Sequence, residues 1–252
     1  ICLLTLNVGE TYTSTVKYSK KSKVLYAQKH NYDYVCETTI LDPTRKPEWF
    51  KVLLILKYMH LYDYVFWVDA DTFIMNSDIK IESLIHSILE YEYEVAYVKA
   101  HGWVNNGVIL VKNTPFTHSY FKRVYTQKDQ VCNEQGAMDY LYQLNWKNCR
   151  KKVKLVEPQN ILQSFWDTYR PGDFIIHFPG CHEPQRPINS LKRMMNMYCP
   201  LRMDEDTDES YSIRMLWLYI SHVRTKHIKE YIPLIKHQDD FNLLQDILPL
   251  ID

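Results

Sequence analysis

The sequence predicts an α/β fold: a mainly parallel sheet with helices on both faces, followed by a helical C-terminal appendage. Three observations predict it. Short apolar runs, Ile1 to Leu6 and Tyr64 to Val68, read as strands buried on both faces. Helical stretches alternate with them, the clearest being Glu48 to His60, where Trp49, Val52, Leu53, Leu56 and Met59 recur at helical spacing. Polar residues stand at strand ends: Asn7, Asp69 and His177 each follow directly on a buried strand, where open α/β sheets bind their ligands.

The elements follow in order. After the first strand, Asn7 and Gly9 break the chain and Thr11 to His30 reads as a polar helix. Asn31-Tyr32-Asp33 signals a turn, and Tyr34 to Glu37 a second strand. Pro43 and Pro47 bracket a loop before the Glu48 helix, and Tyr64 to Val68 then runs straight into Asp69. A helix over Ile81 to Tyr91 and strands at Val95 to Lys99 and Val108 to Val111 come next, the last introduced by Asn105-Asn106-Gly107, which reads as a turn. Helices at Phe116 to Thr126 and Glu134 to Leu144 precede late strands at Val153 to Val156 and Phe174 to Ile176. The composition changes near Leu201. Met203 to Glu209 is an acidic linker, and Tyr211 to His222 and Ile228 to Ile251 read as helical. Residues 1–200 are therefore expected to form one catalytic-sized domain and 201–252 a linker with a helical appendage.

The bulk numbers exclude several classes. Thirty basic residues balance 30 acidic ones, so no global field recruits nucleic acid or an anionic membrane. Only 6 glycines are present, which argues against a Gly-rich phosphate cradle; the 20 tyrosines are compatible with sugar-stacking surfaces. None of the 6 cysteines forms a C-x-x-C pair, so ordinary thiols are expected. No apolar stretch approaches the roughly 20 residues that span a bilayer. The chain opens on Ile1 and reads as a piece of a longer product, whose upstream segment leaves a signal or anchor open. No N-x-S/T glycosylation acceptor occurs.

Phe66-Trp67-Val68-Asp69-Ala70-Asp71 carries the strongest chemical signal. Extended backbone points residues i and i+2 to the same side, so Asp69 and Asp71 converge. That is costly without a cation. Hard oxygen ligands suit Mg²⁺ or Mn²⁺, and such an ion neutralises the charge growing on a diphosphate leaving group. His177, after Asp173-Phe174-Ile175-Ile176, offers an imidazole as third ligand and favours Mn²⁺. A pair of turn aspartates and a hydrogen-bonded structural histidine are the plainer alternatives. In Asn105-Asn106-Gly107 the amides can grip hydroxyls and the glycine permits close approach. Glu134, Gln135 and Asp139 are, on their own, ordinary acids and amides early in a helix. Lys51, on the helix before Asp69, could reach a phosphate or ribose or simply face solvent.

Several segments in this order resemble one family. Leu25-Tyr26-Ala27 with His30-Asn31-Tyr32, Trp49-Phe50-Lys51, the Trp67-Val68-Asp69-Ala70-Asp71 stretch, Asn106-Gly107 with Asn113, Glu134-Gln135-Gly136-Ala137 and His177-Phe178-Pro179-Gly180-Cys181 resemble motifs of the galactosyl/xylosyltransferase family of retaining GT-A enzymes, glycosyltransferase family 34. The resemblance spans roughly residues 1–200. It implies a Rossmann-like GT-A fold, a UDP- or GDP-sugar donor, a glycan or glycoconjugate acceptor, Mn²⁺ as cofactor and retention of configuration. It assigns Asp71 and His177 to the metal, Asp69 to metal or ribose, Gln135 to the anomeric carbon, and Asn106 and Asp139 to sugar or acceptor. Where several members place a lysine on the donor phosphate, after the Gly180-Cys181 pair, this chain has His182; Arg186 or Lys192 could substitute. An inverting enzyme would instead need a carboxylate base, which Glu134 or Asp139 could supply. A Golgi setting would follow for a eukaryotic member with an upstream anchor, a cytoplasmic or viral one otherwise. Rival readings are another GT-A transferase such as the glycogenin-like group, and a degenerate carbohydrate-binding relative. A nucleotidyltransferase is disfavoured, because Asn7-Val8-Gly9-Glu10-Thr11 lacks a basic Gly-rich loop.

Overall fold

The computed structural model describes residues 1–89, 92–100, 102–127, 131, 133–170, 172–179, 195, 198–204, 206–208 and 210–211. The expected helices beyond Tyr211, together with Gly180, Cys181, His182, Arg186 and Lys192, lie outside the described residues.

Strand β1 (Cys2–Leu6) leads into α1 (Glu10–Thr15) and α2 (Lys17–His30), then β2 (Asp33–Glu37). The expected single helix over Thr11 to His30 is thus two, parted at Val16, where φ −98° and ψ 15° leave helical values. Threonine and valine are poor helix formers, and they crowd this stretch. Helix α3 (Phe50–Met59) follows a 3₁₀ turn at Pro47–Trp49 and delivers the chain to β3 (Tyr64–Val68) and the short β4 (Thr72–Ile74). Next come α4 (Ile81–Leu84), which widens into a π-turn over Ile85–Leu89, β5 (Val95–Ala100) and β6 (Trp103–Lys112). Helices α5 (Pro115–Tyr125) and α6 (Glu134–Gln143), then β7 (Val153–Val156), β8 (Ser164–Phe165) and β9 (Ile175–His177), complete the described elements.

The main sheet has the order β2-β1-β3-β6-β5-β7. β1 pairs in parallel with β2 and β3, and β5 with β7. β6 runs antiparallel to both its neighbours. The expected mainly parallel sheet therefore holds with one reversed strand at its centre. Side chains alternate across it. Leu4, Val65, Trp67, Ile109 and Val111 face α3, α5 and α6, packing on Leu54, Ile55, Phe121 and Met138. Leu3, Phe66, Val68, Val108 and Leu110 face the other way, onto Tyr26, Ala27, Ile81 and Leu84. Each large apolar side chain so buried contributes roughly 1.5–3 kcal/mol.

Two departures from the sequence reading position the site. Asn105-Asn106-Gly107 is not a turn before a strand but lies inside β6, and the amide of Asp69 donates to Gly107 O at 2.7 Å, extending the β3–β6 ladder. A second sheet, β4-β9-β8, was not foreseen. Its antiparallel register sets Thr72 opposite His177, so His177 is the last residue of a strand rather than the residue after one. At two or three residues, β4 and β8 are too short to show a period of two.

Candidate metal and donor site

The β4–β9 pairing decides the geometry. Thr72 is the neighbour of Asp71, so pairing it with His177 brings the histidine beside the acid pair from more than 100 positions later in the chain. One ligand atom from each of Asp69, Asp71 and His177 lies within 4.8 Å of the others. His177 Nε2 stands 3.5 Å from Asp71 Oδ1 and 4.0 Å from Asp69 Oδ2. Both distances are too long for a hydrogen bond. They suit ligands around one ion: at bonds of about 2.1 Å, ligand pairs in an octahedron stand from about 3.0 to about 4.2 Å apart. His177 Nδ1 is buried with no hydrogen-bond partner. The ring fits only because residue 107 is glycine: a Cβ there would lie 2.2 Å from His177 Cε1. Two carboxylates and an imidazole, Asp71 and His177 buried and Asp69 partly exposed, form a set that could hold a divalent metal ion.

The two oxygens of Asp69 have different duties. Oδ1 accepts from Trp67 Nε1 at 2.7 Å and pairs with Lys51 Nζ at 2.9 Å. Oδ2 is left to face the histidine. Lys51 is buried, and its Nζ also donates to Asn106 O and Oδ1, both at 3.0 Å, and lies 3.2 Å from Glu134 Oε1. Burial works against the Lys51 charge, but Asp69 and Glu134 outweigh it and hold its pKa above the usual lysine value. Burial raises the Glu134 pKa, with Lys51 opposing.

Helix α6 begins at this network because Asn133 caps it, its side chain accepting from Gly136 N at 2.8 Å. The first turn then presents Glu134 and Gln135 to β6. Asn106 Nδ2 donates to Glu134 Oε1 at 3.1 Å, and Asn106 N donates to Gln135 Oε1 at 3.2 Å. Asn105 is half-buried; its Oδ1 accepts from Gly107 N at 3.0 Å and from Gln163 Nε2 at 2.6 Å. Asn7 sits at the end of β1 with its Oδ1 buried and unpartnered.

The structure therefore gathers Asp69, Asp71 and His177 in one place, and Lys51, Asn106, Glu134 and Gln135 in a network that shares Asp69 with it. Lys51 and Asn106 hold one another within the protein, which differs from the outward reach the sequence suggested for both. Asp139 is not drawn in; its carboxylate takes a hydrogen bond from Gln143 of its own helix at 3.4 Å. Sequence reasoning missed Trp67 as a carboxylate holder, Gln163 behind Asn105, and two residues of α2, Ser19 and Lys23, that reach the backbone of the Asp69–Thr72 turn. Trp67 alone left a signal, since it stands two residues before Asp69 on the same side of a strand.

The open α/β sheet with an acid pair and a histidine at its strand ends is a GT-A fold. The chain belongs to the galactosyl transferase GMA12/MNN10 family, which it matches over residues 1–94 and 88–187. It is 25% identical over 175 residues to galactomannan galactosyltransferase 1 of Cyamopsis tetragonoloba, covering 58% of this chain and 40% of that enzyme. A probable alpha-1,2-galactosyltransferase of Schizosaccharomyces pombe, gmh1, is 23% identical over 221 residues, covering 69% and 66% of the two chains. Among solved structures, a glycosyltransferase involved in glycosylation of the major capsid of PBCV-1 matches with a TM-score of 0.60 at 15% identity, over 78% of this chain and all of that one. The glycosyltransferase GlyE of Streptococcus pneumoniae TIGR4 matches with a TM-score of 0.51 at 11% identity, over 81% and 66%. These two likenesses concern the fold. The chain spans well under half the length of the Cyamopsis relative. Among the described residues, no helix is long and apolar enough to cross a membrane.

Proposed function

We propose that this chain is the catalytic unit of a Mn²⁺-assisted glycosyltransferase that moves a sugar, galactose by preference, from a nucleoside diphosphate donor to a hydroxyl of a glycan or glycoconjugate. The observation that carries the reading is the convergence of Asp69, Asp71 and His177 at the ends of β3 and β9. The galactosyl preference rests on the names of the two relatives.

Asp69 Oδ2, Asp71 and His177 would hold the ion, the imidazole favouring Mn²⁺ over Mg²⁺. Bound there, it supplies Lewis acidity to the diphosphate as the sugar leaves. Lys51 and Trp67 keep Asp69 turned toward the histidine through its other oxygen. The unpartnered Asn7 Oδ1 is available to an N–H or hydroxyl of the donor nucleoside. Gln135, half-buried and hydrogen-bonded to Asn106 N, would stand beside the anomeric carbon, as the family resemblance implies. Retention is the stereochemistry the family resemblance implies; in keeping with it, Glu134 is buried and engaged by Lys51 and Asn106, and Asp139 is bonded within its own helix rather than joined to the site. Gly180 and His182 are kept as candidate substrate-binding residues by their place after His177 in the sequence.

The test is donor hydrolysis across a panel of UDP- and GDP-sugars with Mn²⁺, Mg²⁺ or EDTA. The expected result is turnover of UDP-galactose that requires Mn²⁺ and is lost, by about a thousandfold or more, in Asp71→Ala and His177→Ala. Turnover unaffected by EDTA, or full activity in either variant, would overturn the metal assignment. Gln135→Ala is expected to lower kcat more than donor affinity; a change in affinity alone would remove it from the reacting centre.

A further inference from the structure

Each carbonyl of the turn Asp69–Thr72 has a named donor. Asp69 O accepts from Thr72 Oγ1 at 2.8 Å, and Asp71 O from the amide of Phe178 at 3.1 Å. These two ties are local or come from the neighbouring strand. The other two come from α2, 47 and 49 positions away in sequence: Lys23 Nζ donates to Ala70 O at 3.2 Å and to Thr72 O at 2.9 Å. Ser19, one turn earlier on the same helix, lies against the same oxygens, 2.5 Å from Ala70 O and 2.7 Å from Thr72 O, and its Oγ also accepts from Lys23 Nζ at 2.5 Å.

Lys23 and Ser19 are each 1% exposed. Burying a lysine amino group is costly, and a methionine would fill comparable space without that cost. What methionine lacks is a hold on the two carbonyls that flank Asp71. Without that hold, the single hydroxyl proton of Ser19 is left to serve both oxygens, and the backbone on either side of Asp71 is less firmly fixed. Asp69 and Asp71 repel one another until a cation arrives, so something other than the cation must fix their approach.

We propose that Lys23, braced by Ser19, is a positioning residue for the metal site, fixing the Asp69–Thr72 turn so that the two carboxylates converge before a cation binds. It touches neither ion nor substrate and acts through the backbone on either side of Asp71. The proposal rests on Asp69, Asp71 and His177 being the cation site.

The experiment measures Mn²⁺ binding to the full chain by the free-ion paramagnetic resonance signal, with thermal unfolding of each protein alongside. The proteins are wild type, Lys23→Met, Ser19→Ala and Asp71→Ala. The expected result is loss of binding in Asp71→Ala, affinity weakened by about tenfold or more in Lys23→Met, and a smaller weakening of about two- to fivefold in Ser19→Ala. Excess Mn²⁺ should restore most of the turnover of Lys23→Met, a split between metal affinity and kcat that a general loss of fold would not give. Wild-type affinity in both α2 variants, with Asp71→Ala deficient, overturns the proposal. If Lys23→Met does not fold, unchanged affinity in Ser19→Ala overturns it instead. Wild-type binding in Asp71→Ala overturns the cation site itself and is told apart by that control.

Discussion

Two buried lysines flank the acid pair, and the molecule treats them in opposite ways. Lys51, from α3, meets two carboxylates, Asp69 and Glu134, and its pKa is pushed up. Lys23, from α2, meets only the neutral oxygens of Ser19, Ala70 and Thr72, and burial pulls it down to about 7, with the more distant Asp71 opposing. The two are buried to nearly the same degree, at 4% and 1% exposure, so burial does not set the direction. Direct charge pairing does. Lys51 orients side chains by charge, and Lys23 orients backbone by hydrogen bonds.

The largest expected effect comes from breaking the charged side. Lys51→Met strands Glu134 and half of Asp69, and breaking a buried pair in this way costs about 3–5 kcal/mol. Chemical denaturation would read it, and the double variant Lys51→Met/Glu134→Gln should recover much of the loss. If the double variant is no more stable than the single one, Glu134 is not what Lys51 neutralises.

Gly107→Ala probes the histidine that both lysines serve indirectly. The new Cβ meets the imidazole at 2.2 Å, so ring or strand must shift. A cost of about 1–3 kcal/mol is expected, together with weakened Mn²⁺ binding. Wild-type Mn²⁺ affinity would show that the ring position is not critical.

A pH series separates the lysines directly. Lys51 has a raised folded pKa, so its contribution is fully present below the unfolded value of about 10.4 and is lost only as pH rises past the folded value. Lys23 has a lowered one. Between about 7 and the unfolded value, the unfolded chain holds a proton that the folded chain lacks, so this group makes stability rise with pH there. Lys23→Met should flatten that rise; an unchanged slope would contradict the neutral-oxygen description of its surroundings. At the exposed extreme, Lys57 pairs with Glu37 at 2.6 Å while half open to water. Lys57→Ala should cost only about 0.5 kcal/mol. Lys57 is the main cause of the lowered Glu37 pKa, and that contribution disappears as pH falls through the folded value.

Much of the fold was legible because its main strands are unbroken apolar runs and α3 carries apolar residues at helical spacing. Asp69, Asp71 and His177 were legible because each stands at or beside the end of such a run. Their convergence was not: it depends on β4 and β9, which are three residues each. Lys51 and Asn106 were recognised as site residues but expected to reach outward, because sequence gives a lysine on a helix no sign of the carboxylates that will close over it. Lys23 gave no signal at all. It lies in a helix of lysines and serines, and only the packing of α2 beneath the turn distinguishes it from its exposed neighbours Lys20 and Lys21.

The central claim, that Asp69, Asp71 and His177 hold a divalent ion that presents a nucleoside diphosphate, is tested most directly by UDP titration calorimetry with Mn²⁺ and with EDTA, in wild type and His177→Ala. Binding that needs Mn²⁺ in wild type and is lost in His177→Ala is the predicted result. Equal UDP affinity in EDTA, or in His177→Ala, would contradict it.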